Sequence, residues 1–277
     1  MSIVRSTEYR FCERDFATIV EIVRAEAGIV LGQQKRDLVY GRLAKRLRTI
    51  GLADFSDYCA LLTSEAGDQE RRHMVNAITT NLTGFFREAH HFDHLGKNLR
   101  AAVEPRDGTG RLRLWSAGCS SGEEAYSMAM TVRDLMRATD KWDVKILATD
   151  IDTEMVARAK AGRYDPERIS TVPLEKRRRY TRQAEDGRVQ MTDDIRSLIV
   201  FNPLNLFHSW PMRGLFQAIF CRNVVIYFSR DDQRILFDRF ANSLVPGGWL
   251  FIGHSETLHN VSDRFRHIGT TIYQKVT

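Results

Sequence analysis

The sequence has no apolar run approaching the ~20 residues that a membrane-spanning helix needs. Its opening residues, MSIVRSTEYRFCERDF, put charges where a secretory signal needs an apolar core, so a cytoplasmic location is expected. There is no C-x-x-C pair. Cys12, Cys59, Cys119 and Cys221 are scattered, which argues against a disulfide framework or a thiolate zinc site and for reduced thiols. The dinucleotide fingerprint G-x-G-x-x-G is missing as well, and with it the glycine cradle for a pyrophosphate. What remains is an ordinary apolar fraction and a net charge of +6, enough chain at 277 residues for one large domain or two smaller ones. A basic balance suits nucleic acid or an acidic protein partner, and the distribution of charge must decide.

The organising stretch is Arg111 to Met130, RLRLWSAGCSSGEEAYSMAM. Leu112, Leu114 and Trp115 read as a strand. Gly118 and Gly122 bracket a turn that needs positive φ or a close approach. Ser120 or Ser121 is expected to cap the following helix, with Glu123 or Glu124 as the capping-box partner. Strand, glycine turn and helix start form the opening of a doubly wound α/β sheet, whose ligands bind at the carboxyl ends of the strands. Two glutamates at a helix start would repel a diphosphate and suit an amino group. A second strand, Val144 to Leu147, runs on to Asp150, and an acid at that tip typically takes ribose hydroxyls. On its own the turn is equally an ordinary capping box. Ribose, ammonium and no phosphate together describe S-adenosylmethionine.

Residues 1–80 read as helices only. Phe16, Ile19, Val20, Val23 and Ala27 recur at helical spacing, and Gly28 and Gly32 break the run. A helix over 33–50 puts Val39, Leu43, Leu47 and Ile50 on one face and Lys35, Arg42, Lys45 and Arg46 on another, until Gly51 ends it. The basic stripe is either a solvated face or a docking surface for an acidic helix or a nucleic-acid backbone. Phe55 to Leu62 and Arg71 to Thr80 follow as helices. Asn81–Arg87, NLTGFFR, is a non-helical joint. Helix resumes near Glu88, with Phe92, Leu95, Leu99 and Val103 inward. His90 and His94 share metal-ligand spacing but lack a third ligand, and no metal is expected. Pro105–Gly110 is a turn-rich linker. Thr153 is expected to cap a helix to about Ala161, and Tyr164–Arg179 reads as irregular and basic. Asp186-Gly187 marks a hairpin, which gives an inserted antiparallel β-subdomain over about 176–200. A buried strand, QAIFC, is expected to pass Arg222-Asn223 and continue through Val224 to Phe228. Ser229 caps the next helix, Pro246-Gly247-Gly248 turns into the strand WLFIGH, and the last strand, near Thr271–Val276, closes the sheet antiparallel.

WSAGCSSGEEAYSMAM, LATDIDTEMVARAKAGRY, FNPLNL, FCRNVVIYF and PGGWLFIGHSE, in this order and after NLTGFFRE, resemble the chemotaxis receptor methyltransferases of the CheR type. The resemblance spans nearly the whole chain. It implies a class I S-adenosylmethionine-dependent α/β fold, a Rossmann-like sheet with an antiparallel last strand, carried by residues 81–277 behind a small all-α domain at 1–80. It implies methyl transfer to glutamates of chemoreceptor signalling helices, with S-adenosylhomocysteine as product. Asn81, Thr83 and Arg87 match the segment that closes over the cofactor. Glu124 matches the acid for the methionine amino group, Asp150 the ribose acid, Asn205 and Leu206 the adenine-side loop, and Arg222 and Asn223 the pair ending the fourth strand. Arg87 and Tyr227 match positions near the transferring methyl. Members that grip a receptor tether peptide carry a longer glycine-rich loop in the β-subdomain than QAEDGR, so tether independence is expected.

Two rivals stand beside this reading. A nucleic-acid methyltransferase would share the sheet and the basic charge, but the fourth strand ends in Cys-Arg-Asn-Val rather than an Asn- or Asp-Pro-Pro-aromatic loop. A cofactor-sensing module without activity would keep the same binding residues. Neither nucleic acid, membrane insertion nor an oligomer is expected. The docking reading of the stripe predicts that reversing Arg42 and Arg46 to Glu weakens substrate binding, and unchanged turnover would remove it.

Overall fold

The computed structural model describes residues 8–103, 109–137 and 140–276. The start of the chain, the linker residues Pro105–Gly108 and the side chain of Val103 lie outside the described residues. Contacts divide the chain into two compact units, one of residues up to Thr80 with Tyr227–Ser229, the other of Asn81–Ile226 with Arg230–Thr277.

The first unit is all helical: α1 (Glu13–Ala27), α2 (Arg36–Ile50), α3 (Phe55–Thr63) and α4 (Asp68–Ile78). Gly28 and Gly51 stop α1 and α2 at φ 69° and 72°, a left-handed conformation that glycine adopts without a Cβ clash. The Asp54 carboxylate caps α3 by accepting from the Asp57 N–H at 3.0 Å. Phe16, Ile19, Val23, Val39, Leu43, Leu47, Leu62 and Met74 form the interior. The Val30 N–H donates to the Tyr227 carbonyl at 2.8 Å.

The basic helix differs from its reading. Gln33–Lys35 is a 3-10 turn, so Lys35 precedes α2 rather than lying on it. Arg42 caps the end of α4, donating to the carbonyls of Ile78 and Thr79 and to Thr80 Oγ1. Arg46 forks onto Glu70, Nε to Oε1 at 2.8 Å and Nη2 to Oε2 at 2.6 Å, while the Tyr58 hydroxyl donates to Oε1 at 2.9 Å. Burial pushes the Glu70 carboxyl up, but Arg46 and Tyr58 hold it below its ordinary value. Lys35 and Lys45 stay exposed. Two of the four stripe cations therefore hold the helical unit itself together. Arg46→Ala leaves a mostly buried carboxylate with only Tyr58, so it is expected to lower the unit's stability by about 2 kcal/mol in denaturant unfolding. A change under about 0.5 kcal/mol would mean the pair contributes no more than a surface one.

The second unit runs α5 (His90–Val103), β1 (Thr109–Ala117), α6 (Glu123–Leu135), β2 (Lys141–Asp150), α7 (Thr153–Ala161), β3 (Arg163–Tyr164), α8 (Pro166–Ile169), α9 (Leu174–Tyr180), β4 (Thr181–Gln183), β5 (Val189–Met191), α10 (Asp193–Arg196), β6 (Ile199–Pro203), β7 (Phe216–Cys221), α11 (Arg230–Ser243), β8 (Leu244–Ile252), β9 (Phe265–Gly269) and β10 (Ile272–Lys275). Seven strands form one sheet in the order β6-β2-β1-β7-β8-β10-β9. The pairs β6/β2, β2/β1, β1/β7 and β7/β8 are parallel, and β10 runs antiparallel to both neighbours. Strand order reverses between β1 and β7, which opens a crevice at their carboxyl ends. Alternation along β1 sends Leu112 and Leu114 into the apolar core shared with α5 and α6. Trp115 goes to the other face, against Phe216 and Phe240.

β3, β5 and β4 form a separate antiparallel sheet. Its hairpin turns at Asp186-Gly187 with Gly187 at φ 79°, and it reaches back to Arg163. The stretch read as irregular carries the short helices α8 and α9. β7 ends at Cys221 instead of running to Phe228, and Val225–Tyr227 is a single 3-10 turn. Asn223 takes φ 59°, a left-handed conformation outside regular strand geometry.

Candidate functional site

The register of β1 and β2 pairs Ala117 with Thr149, so the two strands end level. The chain then leaves β1 through a tight loop. The N–H groups of Gly118 and Cys119 both donate to the Thr149 carbonyl, at 2.8 and 2.9 Å. Gly118 sits at φ 91°, and a Cβ there would lie 2.4 Å from Val224 Cγ2, so both conformation and space demand glycine. Ser120 is left-handed as well, at φ 48°. Neither serine caps α6, contrary to expectation. The cap is Gly122 at φ 96°, and Ser121 Oγ donates to Glu123 Oε2 instead. Thr153 likewise does not cap α7. Asp152 does, its Oδ1 accepting from the N–H groups of Glu154 and Met155.

This loop sets three acids at the strand tips. Asp150 is buried, its Oδ2 accepting from the Ser120 N–H at 2.7 Å and Oδ1 from the Asp152 N–H at 2.9 Å. Burial pushes its carboxyl up to about 6, against the pull of those N–H groups. Asp152 Oδ2 accepts from Asn81 Nδ2 at 2.7 Å, and Ser120 Oγ donates to the Asn81 carbonyl at 3.1 Å, which ties the Asn81–Arg87 segment to the strand tips. Glu124 is buried in the first turn of α6. It accepts from Ser116 Oγ at 2.6 Å and from Arg222 Nη1 at 3.1 Å. Burial pushes its carboxyl above the ordinary value, while the Arg222 guanidinium opposes the rise.

Arg222 joins the two sides of the crevice. Besides Glu124 it donates to the Arg87 carbonyl and lies 3.4 Å from Glu88 Oε2. Burial raises the Glu88 carboxyl, but Arg222 and His254 hold it below its usual value. One guanidinium thus stands between two carboxylates. Glu88 Oε2, His91 Nδ1 and Arg222 Nε are buried and have no hydrogen-bond partner among the described residues. Ligand atoms of Glu88, His90 and His91 fall within 4.8 Å of one another. A cation there would share Glu88 Oε2 with Arg222, so the cluster reads as an arginine counter-charge rather than a metal centre. His94, the other member of the suspected pair, instead stacks edge-on against Trp249 and Phe251.

The remaining expected residues divide. Thr83 is half-buried, its carbonyl accepting from Arg168 Nη2 at 3.4 Å. The loop after β6 approaches Asp150 through Leu204, whose N–H donates to the Asp150 carbonyl at 2.9 Å. Leu206 there is buried, and Asn205 Oδ1 accepts from the Phe207 N–H at 2.9 Å, shaping the turn. Arg222 and Asn223 follow directly after β7. Ser116, Glu88, Asp152 and Glu256 went unremarked as site residues. Ser116 was legible as the inward neighbour of the turn, whereas Glu88 meets Arg222 across 134 residues and Glu256 meets Asn223 across 33, and no local pattern announces that.

The donor set suits a cationic nucleoside: acids at both strand tips, a roof segment bonded to them, and a glycine turn without a phosphate cradle. Residues 81–274 match the family model described as CheR methyltransferase, SAM binding domain, and residues 14–79 match its all-alpha domain. The chain belongs to the CheR methyltransferase family. A probable chemotaxis protein methyltransferase of Rhizobium etli is 44% identical over 92% of this chain and 97% of its own. The chemotaxis protein methyltransferase of Escherichia coli is 41% identical over 93% of this chain and 89% of its own, and chemotaxis protein methyltransferase 2 of Pseudomonas aeruginosa is 38% identical over 96% and 94%. The cofactor of this CheR-family chain is S-adenosylmethionine.

The expected ribose role of Asp150 needs its ionised carboxylate, and burial pushes that carboxyl up to about 6. Affinity for S-adenosylhomocysteine is therefore expected to be full above that pH and to fall by up to about tenfold per unit below it, as the raised carboxyl takes its proton. Calorimetry across pH 5 to 8 checks this. Asp150→Asn should bind weakly throughout and lose the step, and a step unchanged in that variant would assign it elsewhere.

Proposed function

We propose that this chain methylates glutamate side chains on the cytoplasmic helices of chemoreceptors, forming glutamyl methyl esters during sensory adaptation. The observation that carries the reading is Arg87. It lies half-buried at the end of the roof segment, its Nη1 donating to the Leu82 carbonyl at 3.0 Å. Among the described residues it has no carboxylate partner. Its own carbonyl is bonded to Arg222, so it borders the acid cluster. A guanidinium with unused donors at that border suits an incoming carboxylate. The chemotaxis methyltransferases of other bacteria that match along nearly the full length support a receptor as the substrate.

The chemistry asks little of the protein. A glutamate, with a reference pKa of about 4.3, is already anionic at neutral pH. S-adenosylmethionine supplies an electrophilic methyl on a sulfonium. No general base is required, so the residues have to align two partners and keep water out. Glu124 and Arg222 take the amino-acid end of the cofactor, Asp150 the ribose, and Asn205 with Leu206 the adenine side. Asn81 and Thr83 belong to the roof, and Asn223 sets the turn behind it. Arg87 orients the substrate carboxylate, and Tyr227 adds a hydrogen bond. Too tight a grip would blunt the nucleophile, so Arg87 orients rather than neutralises.

Lys35 and Lys45, the exposed cations of the helical unit, complement a glutamate-rich receptor helix and speed encounter more than they add affinity. The compact turn between β4 and β5 supports action without a receptor tether peptide. The enzyme works as a monomer and does not engage nucleic acid. Arg87→Ala is expected to lower kcat by about a hundredfold and Tyr227→Phe by less. Full activity in both would remove this assignment. Methyl groups placed on a receptor should be released as methanol by mild base, whereas base-stable label would point to an amide or amine. A receptor C-terminal pentapeptide should give no heat at micromolar concentration, and micromolar binding would overturn tether independence.

A further inference from the structure

The turn after β7 is fastened by a residue from the loop that follows a different strand. Glu256 follows β8 and is buried. Its Oε2 accepts from the N–H of Asn223 at 2.9 Å and of Gly253 at 2.6 Å. Its Oε1 accepts from Val224 at 2.9 Å and from Ile226 at 3.3 Å. Four backbone donors thus converge on one carboxylate, and among the described residues no cation lies within salt-bridge distance of it. Such a concave set of N–H groups is a nest for an anion, and here the chain supplies its own.

The arrangement holds an otherwise costly conformation. Asn223 is left-handed at φ 59°, a conformation uncommon for a non-glycine residue. Gly253 packs against it so closely that a Cβ would lie 2.4 Å from Asn223 Nδ2. The ends of β7 and β8 are thereby locked to each other, with Arg222 immediately before the left-handed residue. The Arg222 side chain then spans to Glu124 at 3.1 Å. A small rotation at Asn223 would swing that guanidinium off its target.

We propose that Glu256 is a positioning residue for methyl transfer: by binding the N–H groups of the turn after β7 it fixes the aim of Arg222 at Glu124. The inference rests on the proposed role of Glu124 and Arg222 at the amino-acid end of the cofactor. An amide cannot replace the carboxylate, because a glutamine keeps one acceptor oxygen and turns an NH2 toward two N–H donors. An aspartate keeps the charge but is one methylene too short to reach both sets.

The test compares Glu256→Gln, Glu256→Asp and Glu124→Gln with the parent chain by calorimetry with S-adenosylhomocysteine, each at a temperature well below its melting point. Glu256→Gln is expected to weaken binding by about tenfold or more, since buried donors are left facing an amide. Combined with Glu124→Gln it should add little further, because both act through the same guanidinium. Glu256→Asp should fall between and serves alone if the glutamine variant does not fold. A Glu256 variant that melts lower yet binds with parental affinity would make the residue merely structural and overturn the proposal. So would full additivity in the double variant. Parental affinity in Glu124→Gln itself would instead fault the cofactor assignment.

Discussion

Burying carboxylates is the constraint on which the catalytic unit depends. Asp150, Glu124 and Glu256 are nearly inaccessible, and burial pushes all three carboxyls up. Each is kept usable by a different device. Asp150 has two loop N–H groups, Glu124 a serine hydroxyl and an arginine, and Glu256 a nest of four N–H groups. The parallel sheet makes this possible, because strands that end level send their loops into one crevice. The left-handed residues Gly118, Ser120, Gly122 and Asn223 are the local cost of aiming N–H groups inward. A desolvated anion acts on a cation far more strongly than a solvated one. In the proposed site the cost of burial is tied to recognition of a cationic cofactor.

The sheet was largely legible because its evidence is local. A strand, a glycine turn and a helix follow one another within Arg111–Met130, and the antiparallel close shows in the last strand near Thr271–Val276, whereas the edge strand β9 beside it was not legible. Capping was not legible. Ser120 and Ser121 have the right chemistry for an N-cap, yet the chain reverses hand at Ser120 and Gly122, so the glycine occupies the position. Val224–Phe228 carries strong β-propensity and nonetheless leaves the sheet. Glu256, remote in sequence, takes the N–H groups that a further strand pairing would have used, and tertiary bonding overrides propensity.

The same limit governs charge. Helical periodicity correctly sorts Arg42 and Arg46 from the apolar face of α2, but it cannot say what lies opposite them. Arg46 meets Glu70 and Arg42 meets the carbonyl end of α4, partners 24 to 38 residues away. A basic stripe read from spacing alone counts structural and available cations together. Only Lys35 and Lys45 of that set remain exposed, and any electrostatic steering of a receptor helix by this set rests with them.

The central claim is that buried acids at the strand tips read the positive amino end of the cofactor. Its most direct test is calorimetry of the parent chain with S-adenosylhomocysteine and with the analogue that lacks the α-amino group. The account predicts that removing the amine weakens binding by about a hundredfold, since its charge-assisted bond to the acid cluster, beyond the one Arg222 already makes to Glu124, would be lost. Equal affinity for the two compounds would contradict it.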